Sequence, residues 1–486
     1  MNTIQDLEPR LLWQNFHALT RIPRPSKHEA RALEFVENYA RQLGLTVFRD
    51  KVGNVIIRQD ATPGCEHKIG VILQAHIDMV PQKNNDKQHD FLTDPIETIV
   101  DGSWVRANGT TLGADDGIGV AAALAVLADK NIAHGPLEVL ITFDEETGMT
   151  GAYGLQQGDL QGKILLNLDS ETDGEIFIGC AGGLDVNATF KYNEVETAEE
   201  DIAFELTLSG LRGGHSGIDI NLGRANANKL ITRFLKYSAA NFESMLSHIE
   251  GGNMRNAIPR EARAVVTIDS DDKEEFIEAV EEFEDMFRSE YADVEPRLSF
   301  TARRVETPSR VIDEMTADDI INALQGCPNG PIRMSTEMPG LVETSTNLAV
   351  VRTVDGTAEV KFLIRSSVDT AKDDVASSIE SIFRLAGAEV EMFGEYPGWK
   401  PNPQSAILSV VVDTYNKLYG HAPQVKAMHA GLECGIMAGI YHDWDMVSFG
   451  PTIEHPHSPD ERVSIRSVGN FWSLLTSVLA NIPDNK

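Results

Sequence analysis

Three near-continuous apolar runs constrain this chain most: residues 69–75 (IGVILQA), 137–143 (LEVLITF) and 164–168 (ILLNL). A strand with one wet face alternates apolar and polar residues. A run that is apolar almost throughout is buried on both faces and belongs to the centre of an α/β sheet covered by helices. The Ala-rich segment 116–129, between the first two runs, reads as the helix that crosses from one strand to the next.

At 486 residues the chain exceeds the roughly 250 to 300 at which a single core stops growing, so at least two domains are expected. The texture changes after Gly182-Gly183. From about residue 185 the strands alternate, as in Phe204, Leu206 and Leu208, and acidic helices such as 273–290 appear. That pattern predicts a half-exposed antiparallel sheet with helices on one face. The middle region also reads as duplicated: strand, helix, hairpin, helix, followed by helix, a hairpin turning at Asp355-Gly356, helix and strand. A Pro-rich linker at 396–403 precedes a tail with a short apolar strand at 446–449 and a final amphipathic helix. The expected fold class is α/β: a discontinuous domain, 1–184 and 399–486, with a central mostly parallel sheet flanked by helices, and an inserted α+β domain, 185–398.

Hydrophobic residues make up 42% and charged residues 24%, as in ordinary soluble proteins. The balance of 42 Lys and Arg against 74 Asp and Glu, net −32, would repel a polyanion, so no nucleic-acid partner and no membrane surface is expected. The longest apolar run, 118–128, falls well short of the roughly 20 residues that span a bilayer. The N-terminal sequence lacks the features of a signal peptide. Four cysteines without CxxC spacing fit reduced thiols and a cytoplasmic protein.

His76-Ile-Asp78 follows the first apolar run, and residues two apart on a strand point the same way. Composition alone gives about two His-x-acid triplets, and the chain has two, so position and not spacing singles this one out. It stands at the carboxyl end of a buried strand, where open α/β sheets place their sites. Asp115-Asp116 opens the Ala-rich helix, where one of the two acids can cap the N-terminus. Glu145-Glu146 ends the second apolar run and Asp169 the third, while His457 lies in a loop after the strand at 446–449. Five strand ends of one sheet thus each deliver a histidine or an acid. Two histidines with several carboxylates and no cysteine suit borderline or hard divalent metals. Two ions close together need a bridging carboxylate and leave one acid over as a general base.

Several stretches together carry a resemblance: LQAHIDMVPQKN, GTTLGADDGIG, DEETGM, NLDSE, GGHSG, RNAIPREA, HAGLECG and GPTIEHPHSPDE. Spread over essentially the whole chain, they resemble the M20 family of di-zinc metallopeptidases, most closely its Xaa-His dipeptidase branch. The resemblance implies two Zn2+ per chain, with Mn2+ or Co2+ as substitutes. Asp115 would bridge them, His76 and Asp169 completing one position and Glu146 and His457 the other. It further implies Glu145 as general base, Asp78 as the acid that fixes the His76 ring, and a cis peptide between Asp115 and Asp116. His215 would stabilise the oxyanion, with Asn256, Arg365 and Gly431 lining the substrate pocket. The inserted domain becomes a lid that often dimerises, and the substrate a small peptide. Dipeptide hydrolysis in the cytoplasm by a homodimer is the expected function. The alternatives are another specificity of the family (tripeptidase, aminoacylase or carboxypeptidase) and a metal-free binding protein that kept the fold.

Overall fold

The three apolar runs form the strands Val71–His76, Leu137–Thr142 and Ile164–Asn167, buried at every residue. The first is flanked by the other two in parallel, and Asp445–Ser448 adds a fourth parallel strand beside Ile164–Asn167. The structure, a computed structural model, describes residues 3–485. Its eight-stranded sheet runs Thr46–Arg49, Val55–Gln59, Leu137–Thr142, Val71–His76, Ile164–Asn167, Asp445–Ser448, Glu175–Cys180, Gln424–Met428. The four parallel strands occupy the centre, and the Thr46–Gln59 hairpin joins them antiparallel at one side. Helix Ala114–Ala128 connects two adjacent parallel strands, as a crossover must. It is buried from residue 114 to 127, which accounts for its being apolar on all sides.

A smaller antiparallel sheet, Ile453–Glu454, Arg462–Ser464, Trp104–Ala107 and Thr98–Asp101, matters more for the site than its size suggests. Its pairing of Val463 with Val105 sets the 454–462 hairpin beside the segment that leads into helix Ala114–Ala128.

The chain divides into two units: Met1–Gly179 with Trp399–Ala427 and Leu432–Lys486, and Cys180–Gly398 with Met428–Gly431. Residues 428–431 belong to the second because the Ala181 N–H donates to the carbonyls of Met428 (3.1 Å) and Ala430 (3.0 Å).

The second unit holds the antiparallel sheet expected from the alternating strands, and its duplication is visible in the strand order. One βαββαβ repeat consists of Asp201–Ser209, helix Ala227–Phe242, Met245–Gly251, Ala262–Asp269, helix Lys273–Glu290 and Ser299–Val305. The other consists of Gly182–Lys191, helix Glu314–Gly326, Val342–Val354, Thr357–Ser366, helix Asp369–Leu385 and Glu389–Tyr396. In each, the strands lie side by side as fourth, first, third, second. The two second strands meet at Glu250 with Arg352 and Gly251 with Val351. The sequence pattern missed the opening strand of the latter repeat because Gly182–Lys191 precedes the whole of the former. Its membership is fixed by pairing with Thr357–Ser366 and Glu389–Tyr396. One apolar core, in which Phe234 lies 5.1 Å from the Phe300 ring and 5.6 Å from Phe276, underlies both repeats.

Among the described residues no helix is long and apolar enough to cross a membrane, and none of the four cysteines is in a disulfide.

Candidate active site

Four of the five chemistry-bearing positions follow the carboxyl ends of the parallel strands: His76, the Glu145-Glu146 pair, Asp169 and, by a longer loop, His457. The fifth departs from expectation. Asp115 stands in the first turn of helix Ala114–Ala128 and not at a strand end. Its carboxylate nevertheless lies between the two histidines: Oδ1 is 3.2 Å from His76 Nε2 and Oδ2 is 3.1 Å from His457 Nε2. His76 Nε2 is also 3.3 Å from Asp169 Oδ1, and His457 Nε2 is 3.0 Å from Glu146 Oε2.

The two adjacent acids divide their tasks. While Asp115 faces the histidines, Asp116 accepts the N–H of Gly119 at 3.1 Å as a helix cap and that of His76 at 3.2 Å. The peptide bond between them is cis. Asp78, fully buried, lies 3.4 Å from His76 Nδ1 and accepts from Ser26 Oγ (2.8 Å) and the backbone N–H groups of Glu145 (3.0 Å) and Glu146 (3.3 Å). It therefore ties the ends of two neighbouring strands together. Burial opposes its charge, but the His76 ring and these donors hold it down at about 2.

Charge is crowded here. Burial raises Glu145 and Asp116 well above the usual carboxylate range, and neighbouring acids add to it. Burial with Asp115 lifts Asp169 to about 6, and Glu171 reaches about 8 for the same reasons. The histidines respond in the opposite sense. Hydrogen bonds to Asp115 and then Glu146 push His457 up to about 11; burial opposes the charge on His76, but Asp169, Asp115 and Asp78 outweigh it.

The donor set fits divalent ions. His76, Asp116 and Asp169 offer ligand atoms within 4.8 Å of one another; so do His76, Glu145 and Glu146, and so do Asp115, Glu146 and His457. Glu146 Oε1 is buried with no hydrogen-bond partner. An acid-rich, imidazole-containing pocket with an unsatisfied carboxylate oxygen is complementary to cations.

The second unit gathers a different cluster. His215 Nδ1 accepts the N–H groups of Gly217 and Ile218, both at 3.1 Å, so its proton sits on Nε2. Burial, then Arg365, keeps the ring neutral by lowering its pKa. Arg365 is 5% exposed; its Nε donates to Ser216 Oγ (3.3 Å), its Nη1 to the Tyr396 hydroxyl (3.3 Å), and its Nη2 lies 3.5 Å from His215 Nε2. His429 joins them through Ser345, whose Oγ lies 2.7 Å from Nε2. A side chain on Gly217 would put its Cβ 2.0 Å from the His429 carbonyl oxygen, so this approach requires glycine. Asn256 touches the cluster through its carbonyl, which accepts from the Ser216 N–H at 2.9 Å, and its side chain is exposed. Gly431 sits in the short segment that carries His429.

Residues 72–481 match the model of peptidase family M20/M25/M40. The chain belongs to peptidase family M20. It is 47% identical to the cytosol non-specific dipeptidase of Escherichia coli over 483 residues, 99% of this chain and 100% of that protein. Among solved structures it is similar to the aminoacylhistidine dipeptidase of Vibrio alginolyticus, with a TM-score of 0.96 and 48% identity over 100% of this chain and 99% of that one. The aminopeptidase PepT of Bacillus cereus shares the fold at 17% identity, with a TM-score of 0.57 and coverage of 98% and 99%.

The sequence pattern does not single out several buried groups of the two clusters. Glu433, fully buried, accepts from Gln74 Nε2 and Thr142 Oγ1, both at 2.7 Å, and burial pushes it up to about 7. Arg24 and Glu461 hold backbone and not side chains, so no spacing pattern marks them. Glu461 closes the GPTIEHPHSPDE stretch that carries His457. His429 lies in the HAGLECG stretch, which by itself points only to Gly431.

Proposed function

We propose that this chain is a metal-dependent dipeptidase that cleaves unbranched dipeptides, Xaa-His among them, with Glu145 as general base. The observation that carries the reading is Asp115, whose two oxygens are shared between His76 and His457. The full-length similarity to two dipeptidases supports the substrate class. His76, Asp115 and Asp169 would hold one zinc ion and Asp115, Glu146 and His457 a second, with Mn2+ or Co2+ as substitutes. Bound there, such a pair would lower the pKa of a water molecule and polarise the scissile carbonyl.

The remaining work falls to side chains. Glu145 takes the proton of the attacking water and returns it to the departing amine; its raised pKa suits a group that must hold that proton between the two steps. Asp78 keeps the His76 ring oriented. The neutral His215 offers its Nε2–H to the developing oxyanion, a preorganised donor of the kind that contributes strongly to acyl-transfer rates. Arg365, already fixed by Ser216 and Tyr396, receives the substrate carboxylate, with Asn256 and Gly431 completing that end. The inserted domain, 185–398, serves as lid and homodimerisation domain, in a cytoplasmic enzyme.

Carnosine-like and other unbranched dipeptides, tripeptides and N-acetyl amino acids, assayed in parallel with metal present, test the specificity. Turnover concentrated on the dipeptides is expected, and activity on the acetylated set alone would overturn the dipeptidase reading in favour of another M20 specificity.

A further inference from the structure

Two buried, oppositely charged side chains beside Asp115 have no part in the reaction just described. Glu461, 2% exposed, accepts the backbone N–H groups of four consecutive residues: Leu112 (2.6 Å), Gly113 (2.9 Å), Ala114 (2.7 Å) and Asp115 (3.3 Å). Arg24, 1% exposed, grips the same loop through its carbonyls. Its Nη2 donates to Gly113 O at 2.5 Å, and its Nη1 to Ile77 O at 2.6 Å and Asp78 O at 3.2 Å. A Cβ on Gly117 would come within 2.5 Å of that guanidinium, so the glycine of the Asp-Asp-Gly turn leaves room for Arg24.

The segments joined in this way are not arbitrary. Residues 76–78 carry His76 and Asp78, residues 112–115 end on Asp115, and residues 457–461 carry His457. The last is itself a tight turn, with the Glu461 N–H donating to Ser458 O at 3.0 Å. Arg24 couples the first segment to the second, and Glu461 couples the second to the third. Each of these charges is costly to bury, and the partners of both are backbone groups of ligand-bearing segments. A plain structural pair has no reason to spread its bonds over those three segments.

We propose that Arg24 and Glu461 are positioning residues that hold the 112–115 loop so that both Asp115 oxygens face His76 and His457 before any ion arrives. The metal position formed by Asp115, Glu146 and His457 depends most on Glu461, since that carboxylate links two of its three donors. This rests on reading Asp115 as the shared ligand.

The test compares zinc binding by wild type, Glu461→Gln and Arg24→Lys, stripped with a chelator and titrated against a chromophoric zinc chelator, with near-UV circular dichroism on the stripped proteins. Glutamine turns an NH2 group toward a row of N–H donors. It should weaken the second zinc about 10- to 100-fold while the first binds as in wild type. Turnover should recover at excess zinc with an unchanged KM for dipeptide. Lysine keeps the charge of Arg24 but loses its fork, and should weaken both positions. If the glutamine variant fails to fold, Glu461→Asp, which keeps the charge with shorter reach, carries the same expectation at reduced size. Wild-type affinity for both ions in the folded variants overturns the proposal. A wild type that binds fewer than two ions removes the functional reading beneath it, a result distinct from the former.

Discussion

Two histidines in each unit stand in a polar side-chain cluster, and the two units treat them in opposite ways. In the first unit His76 and His457 stand among carboxylates and are held far above the ordinary histidine range. In the second, His215 and His429 lie near Arg365 and are pushed below it, His429 to about 3 by burial, Arg365 and His215. One cluster is thus an excess of negative charge suited to cations, and the other a buried positive charge with neutral rings suited to a carboxylate or an oxyanion. The same side chain takes two roles because its neighbours decide its protonation.

Exchanging charge for shape at the acid cluster should have the largest effect. Glu145→Gln keeps the size of the group but removes the proton acceptor; kcat should fall about 10²- to 10⁴-fold with metal content unchanged. Near-normal turnover would remove Glu145 as base. On the opposite side of the comparison, His215→Ala deletes a neutral donor and should lower kcat about 10²- to 10³-fold with little change in KM. A variant that altered KM alone would mark His215 as a binding residue. For Arg365→Lys, steady-state kinetics should show mainly a rise in KM, roughly 10- to 100-fold, because a charged hydrogen-bonding fork is lost.

The smallest effect concerns stability. The folded-state pKa of His429 lies below its ordinary value of 6.5. Its contribution is therefore complete above about pH 6.5 and is lost as the pH falls toward 3, by no more than about 1.4 kcal/mol per pH unit. His429→Gln should flatten the melting midpoint against pH in that window; equal slopes in both proteins would show that the ring protonates freely.

How far the sequence could be read follows from the same physics. The strands that carry His76, Glu145-Glu146 and Asp169 were legible because burial on both faces forces apolar runs, which make the polar residues at their ends conspicuous. Glu461 and Arg24 were not, since a side chain that binds backbone amides or carbonyls imposes no residue type on its partners. The pair is separated by almost the whole chain. Asp115 was legible at the opening of the Ala-rich helix, where it stands; only its grouping with the strand ends fails, because residues 98–107 before that helix belong to the smaller sheet. In the second unit, hairpins and helices were legible from local period. The strand Gly182–Lys191 was not assigned to its repeat because its partners come more than 160 residues later.

The contrast between the two clusters comes down to whether the acidic one holds metal. Elemental analysis of protein purified without chelators, with zinc, manganese and cobalt counted per chain, tests this most directly. Two divalent ions per chain are predicted, falling to one or none when Asp115 is replaced by asparagine. A chain that retains dipeptide hydrolysis while binding no divalent metal would contradict the account.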